Sequence, residues 1–141
     1  MVATAGPWSA ARVRGYGARV VLDYHDPEWP ARVRGAPPSG HGIGAAVNAA
    51  PSGAAAALQT VAVDGRLATI TGDPPRPERG VAVVDVYVQP DGARLAGLAS
   101  RLAEGQLSLR VAATLSLADA GRALQDAVAG RVAGAGVLML E

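Results

Sequence analysis

The first half of the chain alternates short apolar runs with segments of helical pattern. The apolar runs are nearly continuous and rich in β-branched residues, as strands buried on both faces are. They predict strands over residues 1–6, 18–23, 43–49 and 66–71. Between these strands the pattern predicts a helix from Pro7 to Gly15 or Gly17, a short helix from Asp26 to Val33, and an Ala-rich helix after Gly53 that ends near Val63, where Asp64-Gly65 breaks it. This alternation is typical of a parallel sheet with helices on its faces.

The second half begins with a long β-prone run from Gly80 to Gln89. Strand periodicity puts Val81, Val83, Asp85 and Tyr87 on one face, and Ala82, Val84, Val86 and Val88 on the other. Asp91 is predicted to cap a helix that ends at Gly105. Its apolar stripe consists of Leu95, Leu98 and Leu102.

The last third predicts an extended segment, a helix and a final strand. Residues 107–114 are predicted to be extended, and the last strand covers residues 137–140. Ser116 and Asp119 resemble a shortened capping box for the helix that stops at Gly130. No internal repeat and no linker interrupts the chain, so residues 1–141 are predicted to form one domain.

Composition excludes several kinds of function. The 141 residues are half apolar, and 13 basic residues are balanced by 12 acidic ones. A nucleic-acid partner or an anionic membrane surface would require clustered basic charge, so neither is expected. The absence of cysteine excludes disulfides, thiolate zinc ligands and a cysteine nucleophile. No apolar run approaches the roughly 20 residues that span a bilayer, and no signal-peptide pattern is present, so a cytoplasmic protein is expected.

Residues that could carry catalysis are few. The acidic and histidine cluster after the second strand, at residues 23–28, is more typical of a solvated loop than of a metal site. The segment Ser39-Gly40-His41-Gly42 contains residue types of a catalytic triad but lacks the strand-to-helix elbow that a nucleophilic serine needs. Residues 40–44 are rich in glycine but precede a strand, whereas a phosphate-binding loop follows one. No catalytic residue and no metal ligand is therefore predicted.

Small and polar residues follow each of the four predicted strands. They are Thr4-Ala5-Gly6, Asp23-Tyr24, Asn48-Ala49-Ala50 and Thr71-Gly72-Asp73. In parallel α/β sheets the ligand lies at the carboxyl ends of the strands. These four segments are therefore predicted to share one edge of the sheet, either as a ligand site or as ordinary turns.

The order and spacing of several segments resemble a known family. They are Ala3-Thr4-Ala5-Gly6, residues 17–24, Gly65-Arg66-Leu67-Ala68-Thr69-Ile70-Thr71-Gly72, residues 90–107, and residues 117–138. Together they resemble the C-terminal part of the cofactor-binding domain of medium-chain dehydrogenase/reductases, the zinc-type alcohol dehydrogenase superfamily, in its quinone-oxidoreductase-like branch. The resemblance covers essentially the whole chain.

The resemblance implies a partial Rossmann-like sheet and an NAD(P)-dependent oxidoreductase acting on alcohols, quinones, enones or enoyl thioesters. It also implies a cofactor site. In it Thr4 and Ala5 would lie near the adenosine ribose and Tyr24 by the adenine. Asn48 and Ala49 would line the middle, and Thr71 and Gly72 the nicotinamide side. No acidic residue follows Thr4-Ala5 to grip a ribose hydroxyl, and Arg12 is near, which favours NADP(H) over NAD(H). Members of this branch often carry a lysine where Ser9 stands, which weakens that preference.

Several pieces of the family pattern have no counterpart in this sequence. The family's first strand, its Gly-rich loop and its GroES-like catalytic domain would all precede Met1. The sequence therefore predicts a fragment that keeps half of a cofactor site, binds NADP(H) weakly or not at all, and is not catalytically competent alone. Two alternatives are a non-catalytic dimerisation or partner-binding module on the same fold, and a pocket reused for another ligand. The segment Val81–Val88 matches the family's dimer strand and predicts a homodimer. The substrate is not predicted.

Overall fold

The computed structural model describes residues 1–37, 40–132 and 134–140. The strands are β1 Val2–Thr4, β2 Val20–Leu22, β3 Ile43–Asn48, β4 Val61–Thr69, β5 Ala82–Asp85, β6 Val111–Ser116 and β7 Ala135–Met139. The helices are α1 Pro7–Gly15, α2 Trp29–Gly35, α3 Ala54–Thr60, α4 Gly92–Ala103 and α5 Ala120–Val128, with a 3₁₀ turn at Leu117–Asp119.

All strand pairs found in the described residues are parallel. β1 pairs with β2, β3 pairs with β4 and β4 with β5, and β6 pairs with β7. Helices connect these strands, as parallel pairing requires. The predicted α/β fold with a Rossmann-like parallel sheet is therefore confirmed.

The chain separates into two compact units, residues 1–88 and residues 89–141. The first unit contains β1 to β5 and α1 to α3, and the second contains β6, β7, α4 and α5. The arrangement of residues 1–141 as one domain stays a prediction.

The buried core of the first unit forms where α3 packs on β3 and β4. Ala54, Ala57 and Leu58 are buried at helical spacing, so one face of α3 points to the sheet. The central cluster consists of Ala57, Leu58, Val61, Leu67 and Val81. Val61 and Leu67 are 0% exposed, so this cluster anchors the strands that end at the predicted ligand edge.

The predicted helix end near Val63 is wrong, because α3 ends at Thr60 and β4 begins at the next residue. Val61 pairs with Ile43 of β3. The register then shifts, and the next pair is Ala45 with Arg66. The residues between form a bulge, in which Asp64 has φ 58°. Asp64-Gly65 is therefore a bulge within β4 and does not terminate a helix.

The predicted strand from Gly80 to Gln89 is too long, because β5 covers only Ala82–Asp85. β4 ends at Thr69, whose partner is Asp85. The Val86 backbone N–H still donates to the Thr69 carbonyl at 2.8 Å, and beyond Val86 no described strand is available for pairing. The predicted alternation of faces is confirmed from Val81 to Val86: Val81 is 2% exposed, whereas Val84 and Val86 are 53% and 46% exposed. It does not extend to Tyr87, which is 74% exposed although the prediction put it on the face of Val81.

Of the two helix caps predicted in the second unit, one is confirmed and one is wrong. The Asp91 carboxylate accepts a hydrogen bond from the Arg94 backbone at 3.0 Å, which confirms the predicted cap. The predicted capping box is wrong, because the Ser116 hydroxyl donates to the Asp119 carboxylate at 3.0 Å instead of accepting from the backbone. The 3₁₀ turn delays the start of α5 to Ala120, so Ser116 is not at its N-cap.

Candidate functional site

A cavity of about 1100 Å³ lies between β1 and β3 in the first unit. Its wall includes residues 1–5, around β1, and residues 43 and 45–48 of β3, but no residue of β2, β4 or β5. From β1 the chain continues to β2, and from β3 it continues to β4 and β5, so the direction of winding reverses at the cavity. Open α/β sheets bind ligands outside the carboxyl ends of their strands at such a reversal.

The cavity brings together five of the residues that the sequence singled out: Thr4, Ala5, Arg12, Tyr24 and Asn48. Thr71 is connected to them through a hydrogen bond to Asn48. Ala49 and Gly72 do not line the cavity, although each directly follows a residue of this group. Gly72 has φ 71°, a conformation that favours glycine.

Asn48 is the centre of a hydrogen-bond network at the carboxyl ends of β3 and β4. It is 6% exposed. Its side-chain amide nitrogen donates to the Ala50 carbonyl at 3.1 Å and to the hydroxyls of Thr71 and Thr69 at 3.2 and 3.4 Å. The two threonine hydroxyls are 2.8 Å apart. Because several partners hold the amide, the Asn48 side chain is fixed at the cavity wall.

Asp73 extends this network to the loop that follows β3. One carboxylate oxygen accepts a hydrogen bond from the Thr71 hydroxyl, and the other accepts from the Ser52 backbone at 3.1 Å. Ser52 lines the cavity and has φ 60°. The sequence placed Asp73 at the edge but did not select it as a site residue. The sequence signal that could have selected Asp73 is its position two residues after Thr71.

Tyr24 is positioned by a turn that follows β2. The Asp23 carboxylate accepts from the His25 backbone at 3.0 Å and meets the His25 ring at 2.7 Å. These two contacts lower the pKa of Asp23, the backbone hydrogen bond being the larger cause. The rings of His25 and Tyr24 lie 4.1 Å apart. A side chain at Gly6 would come within 3.3 Å of the Tyr24 hydroxyl, so the glycine leaves room for this aromatic pair.

Arg12 supplies positive charge at the cavity. It lies in the last turn of α1, and its side chain is exposed. No carboxylate in the described part of the chain forms an ion pair with it. An unpaired guanidinium next to hydroxyl and amide groups suits the binding of a phosphate.

Asp85 is a further polar residue of this edge that the sequence did not select. It pairs in register with Thr69, which itself pairs with Asn48. Neither carboxylate oxygen of Asp85 is accessible to solvent or meets a hydrogen-bond donor at normal geometry among the described residues. A loose hydrogen bond toward Asp85, together with its negative charge, raises the pKa of the Tyr87 phenol.

A family model described as zinc-binding dehydrogenase matches residues 16–138. The chain belongs to this family. Comparison with curated proteins finds no match. The match confirms the resemblance to the zinc-type superfamily that the sequence suggested.

Several solved structures have the same fold as this chain. An NAD-dependent alcohol dehydrogenase is 24% identical with a TM-score of 0.81, and a quinone oxidoreductase from Pseudomonas syringae is 20% identical with a TM-score of 0.74. A mycobacterial protein in complex with NADPH is 26% identical with a TM-score of 0.69. Each comparison covers 99% of this chain. The chain spans 43%, 48% and 48% of the length of those three proteins, respectively.

The described residues of this chain do not fit a zinc ion, although the family model carries zinc in its description. The sequence contains no cysteine, and the described residues contain no group of three histidine, aspartate or glutamate side chains that could hold a metal. Zinc bound by protein normally has three or four such ligands. No chemical step is therefore assigned to zinc in these residues.

The residues fit part of a nicotinamide dinucleotide. Thr4, Ser52 and Arg12 line one cavity, and hydroxyl and guanidinium groups are groups that bind ribose hydroxyls and phosphates. Tyr24 adds an aromatic ring, 54% exposed, on which a base could stack.

Proposed function

We propose that these residues form one side of the cofactor site of an NAD(P)-dependent oxidoreductase, and that the site prefers NADP(H). The observation that carries the proposal is the cavity at the reversal of strand order, with Thr4, Arg12, Tyr24 and Asn48 on its wall. The NADPH complex of a mycobacterial protein with this fold supports the choice of cofactor class.

Each residue has a distinct part in this proposal. Thr4 and Ala5 border the adenosine ribose, and the Arg12 guanidinium binds a 2′-phosphate. Tyr24 packs against the adenine, and Asn48 with Ala49 lines the middle of the site. Thr71 and Gly72 border the nicotinamide, which supplies hydride transfer when the cofactor is bound.

We expect the isolated chain to bind NADP(H) weakly or not at all. In dinucleotide sites a pyrophosphate rests on the backbone N–H groups of a Gly-rich loop, and no such loop follows a strand in this sequence. Charge-assisted hydrogen bonds contribute about 1.5–3 kcal/mol each, so losing several weakens binding by orders of magnitude. Calorimetric titration with NADPH measures this, and micromolar affinity would contradict the claim that the site is incomplete.

The choice of NADP(H) is tested with the adenosine end alone. In NMR titrations, adenosine 2′,5′-bisphosphate should shift the amides of Thr4 and Tyr24 and bind at least about tenfold more tightly than adenosine 5′-monophosphate, because Arg12 adds a charge-assisted bond. Arg12→Ala should remove this difference. Arg14→Ala is the matched control, because Arg14 lies on the same helix but does not line the cavity. Equal binding of the two nucleotides by the unmodified chain would refute the preference.

A homodimer formed through residues 81–88 is a second proposal, and it also supports a partner-binding role. Among the described strands β5 pairs only with β4, which leaves its other edge open. Val84 and Val86 are 53% and 46% exposed, and Val88 is 94% exposed. Unpaired edges with apolar side chains favour association with another chain.

This dimer is tested by placing a charge on the open edge. A two-fold interface would put Val84 close to its own copy, so Val84→Lys should shift the protein to monomers. Val63→Lys is the control, because Val63 is 62% exposed but lies in the bulge of β4 and not on β5. Size exclusion with light scattering reports the mass. An unmodified monomer at tens of micromolar, or a Val84→Lys protein that stays dimeric, would contradict the proposal.

A further inference from the structure

The turn that leads from β3 into α3 contains a residue with an unfavourable backbone conformation. The turn consists of residues 50–53, all of which line the cavity. The Gly53 backbone N–H donates to the Ala50 carbonyl at 3.1 Å, Pro51 follows Ala50, and Ser52 has φ 60°. This arrangement resembles a type II turn, in which the third residue has a positive φ and is normally glycine or asparagine. A serine at this position therefore needs an outside contact that stabilises it.

Asp73 provides that contact from the loop that follows β4. One of its carboxylate oxygens accepts from the Ser52 backbone N–H at 3.1 Å, and the other accepts from the Thr71 hydroxyl. Asp73 is exposed, does not line the cavity and forms no ion pair within the described residues. Its carboxylate thus joins the loops after β3 and β4 from outside the cavity.

The hydrogen bonds that lead inward from Asp73 run in one direction. An ionised carboxylate only accepts, so the single hydroxyl proton of Thr71 goes to Asp73. The Thr69 hydroxyl lies 2.8 Å from that of Thr71 and must donate to it, because Thr71 has no second proton. Neither hydroxyl has a proton left for Asn48, which therefore turns its Nδ2 donor group toward both. The charge of Asp73 thus determines the orientation of the Asn48 amide.

This orientation decides what Asn48 can offer to a ligand. Its Nδ2 group has three acceptors within the protein, which are the Ala50 carbonyl and the two threonine hydroxyls. Its Oδ1 accepts one long hydrogen bond within the described residues, from the Ala50 N–H at 3.4 Å, and so keeps acceptor capacity. An acceptor of this kind binds a hydroxyl or an amide N–H, and it is unfavourable beside a phosphate oxygen.

We propose that Asp73 is a positioning residue of this site. Its charge orients the Asn48 amide, so that the middle of the cavity takes a hydrogen-bond donor such as a ribose hydroxyl and not a phosphate. Its contact with Ser52 holds the turn of residues 50–53 in the cavity wall. This role deepens the proposed function and rests on it for the identity of the ligand.

The orientation of Asn48 is tested without any ligand, by NMR measurement of hydrogen exchange at its side-chain amide. Asp73→Asn keeps the size of the side chain but replaces one acceptor oxygen with a donor. The Asn48 amide should then exchange at least about tenfold faster, because the chain of hydroxyls can reverse and Asn48 loses its acceptors. Asp26→Asn is the matched control, because Asp26 also accepts a backbone N–H but lies outside this network. It should leave Asn48 unchanged.

The contact with Ser52 is tested by rescue. Asp73→Ala should make the Gly53 backbone amide exchange at least about tenfold faster, because Ser52 loses the contact that supports its positive φ. Adding Ser52→Gly should restore the protection, since glycine adopts this conformation without steric cost. The amide of Leu67, in the buried core, should be unaffected throughout. A residue that only stabilised the fold would change Leu67 as well, and Ser52→Gly would not compensate for its loss.

The class of ligand is tested with reduced nicotinamide riboside, which carries no charge, and with inorganic phosphate. At millimolar concentration the riboside should shift the NMR signals of the Asn48 side chain, and Asp73→Asn should weaken its binding at least about tenfold. Phosphate at the same concentration should leave these signals unchanged. If the riboside does not bind to the unmodified chain, the nicotinamide part of the proposed function is wrong, and the exchange measurements still decide the role of Asp73.

Three outcomes would overturn the proposal. They are unchanged exchange of the Asn48 amide in Asp73→Asn, failure of Ser52→Gly to restore the protection of Gly53, and shifts of the Asn48 signals by phosphate as large as those by the riboside. The first would show that Asp73 does not orient the amide, and the second that it does not support the turn. The third would show that Asn48 does not discriminate against phosphate.

Discussion

The two units of the chain carry similar apolar patterns but bury them to different extents. In residues 1–88, α3 places Ala57 and Leu58 against Val61 and Leu67, and all the buried apolar side chains of the described chain belong to this unit. In residues 89–140 none of the described residues is buried. The leucine stripe of α4, at positions 95, 98 and 102, remains 68%, 52% and 40% exposed.

The difference shows that an apolar pattern predicts an element but not what covers it. α4 forms because its local signals agree: Asp91 caps its first turn, pairs with Arg94 through its side chain, and Gly105 with φ 72° follows its end. α3 has no side-chain cap and no acidic residue in its first turn. Its stability must come from packing, because isolated helices this short are marginal in water.

The largest expected difference between the two units is in the free energy of unfolding when one leucine in each unit is replaced by alanine. Leu67→Ala should lower the free energy of unfolding by about 2–5 kcal/mol, because it opens a cavity in a fully buried cluster. Leu98→Ala should change it by less than about 0.5 kcal/mol, since its side chain is half exposed. Urea unfolding followed by circular dichroism measures both.

Leu67→Met is the control for this pair, because it roughly preserves volume and should cost less than about 1.5 kcal/mol. If Leu98→Ala destabilises as much as Leu67→Ala, the leucine stripe of α4 is covered in solution. The contrast between the units would then be wrong.

A smaller difference in stability is expected when one glycine in each unit is replaced by alanine. A side chain at Gly65 would lie 2.5 Å from Val61 and 2.8 Å from the Gly44 carbonyl, so Gly65→Ala should cost about 1–3 kcal/mol through overpacking. Gly97 lies inside α4, and its added side chain would meet nothing within 4 Å. Gly97→Ala should therefore stabilise by about 0.5–1 kcal/mol, because glycine is a poor helix former.

Thermal unfolding of both glycine variants provides the measurement. Opposite signs are expected for the two substitutions. Destabilisation by Gly97→Ala would mean that another surface lies close to α4, and a neutral Gly65→Ala would mean that the bulge of β4 can relax.

The sequence predicted the architecture better than the ends of its elements. Helix and strand periodicity was sufficient for the alternation and the parallel pairing, because both depend on local pattern. The start of β4 at Val61 was missed, since its pairing with Ile43 lies 18 positions away along the chain. The length of β5 was overestimated for a related reason: residues 87–89 have strand propensity, but no neighbouring strand in the described structure reaches them.

For the candidate site, the sequence predicted several of the residues but not the contacts between them. The rule that ligands lie at carboxyl ends selected Thr4, Tyr24 and Asn48, and these residues do line one cavity. It could not reveal that the Asp73 carboxylate would bind both Thr71 and the Ser52 backbone, because that contact depends on how two loops meet. The buried carboxylate of Asp85 was also missed, because strand periodicity gives its face but not its hydrogen-bond partners. The triad candidate at Ser39 lies outside the described residues.

The smallest expected effect concerns the turn at Asp23, whose lowered pKa is a property of the first unit alone. Because the folded pKa lies below the ordinary value of 3.8, the deprotonated carboxylate favours the folded state. This contribution is fully present above that ordinary value and is lost as the pH falls through the folded pKa. His25→Ala should raise the pKa of Asp23 only in part, since the larger contribution comes from the backbone N–H, which alanine keeps. His25→Pro removes both contacts and should raise it further. Carbon-13 NMR titration of the carboxyl group measures each value, and His41→Ala, which changes the other histidine, is the control. An Asp23 pKa that rises equally in the alanine and proline variants would show that the imidazole, and not the backbone, holds the carboxylate.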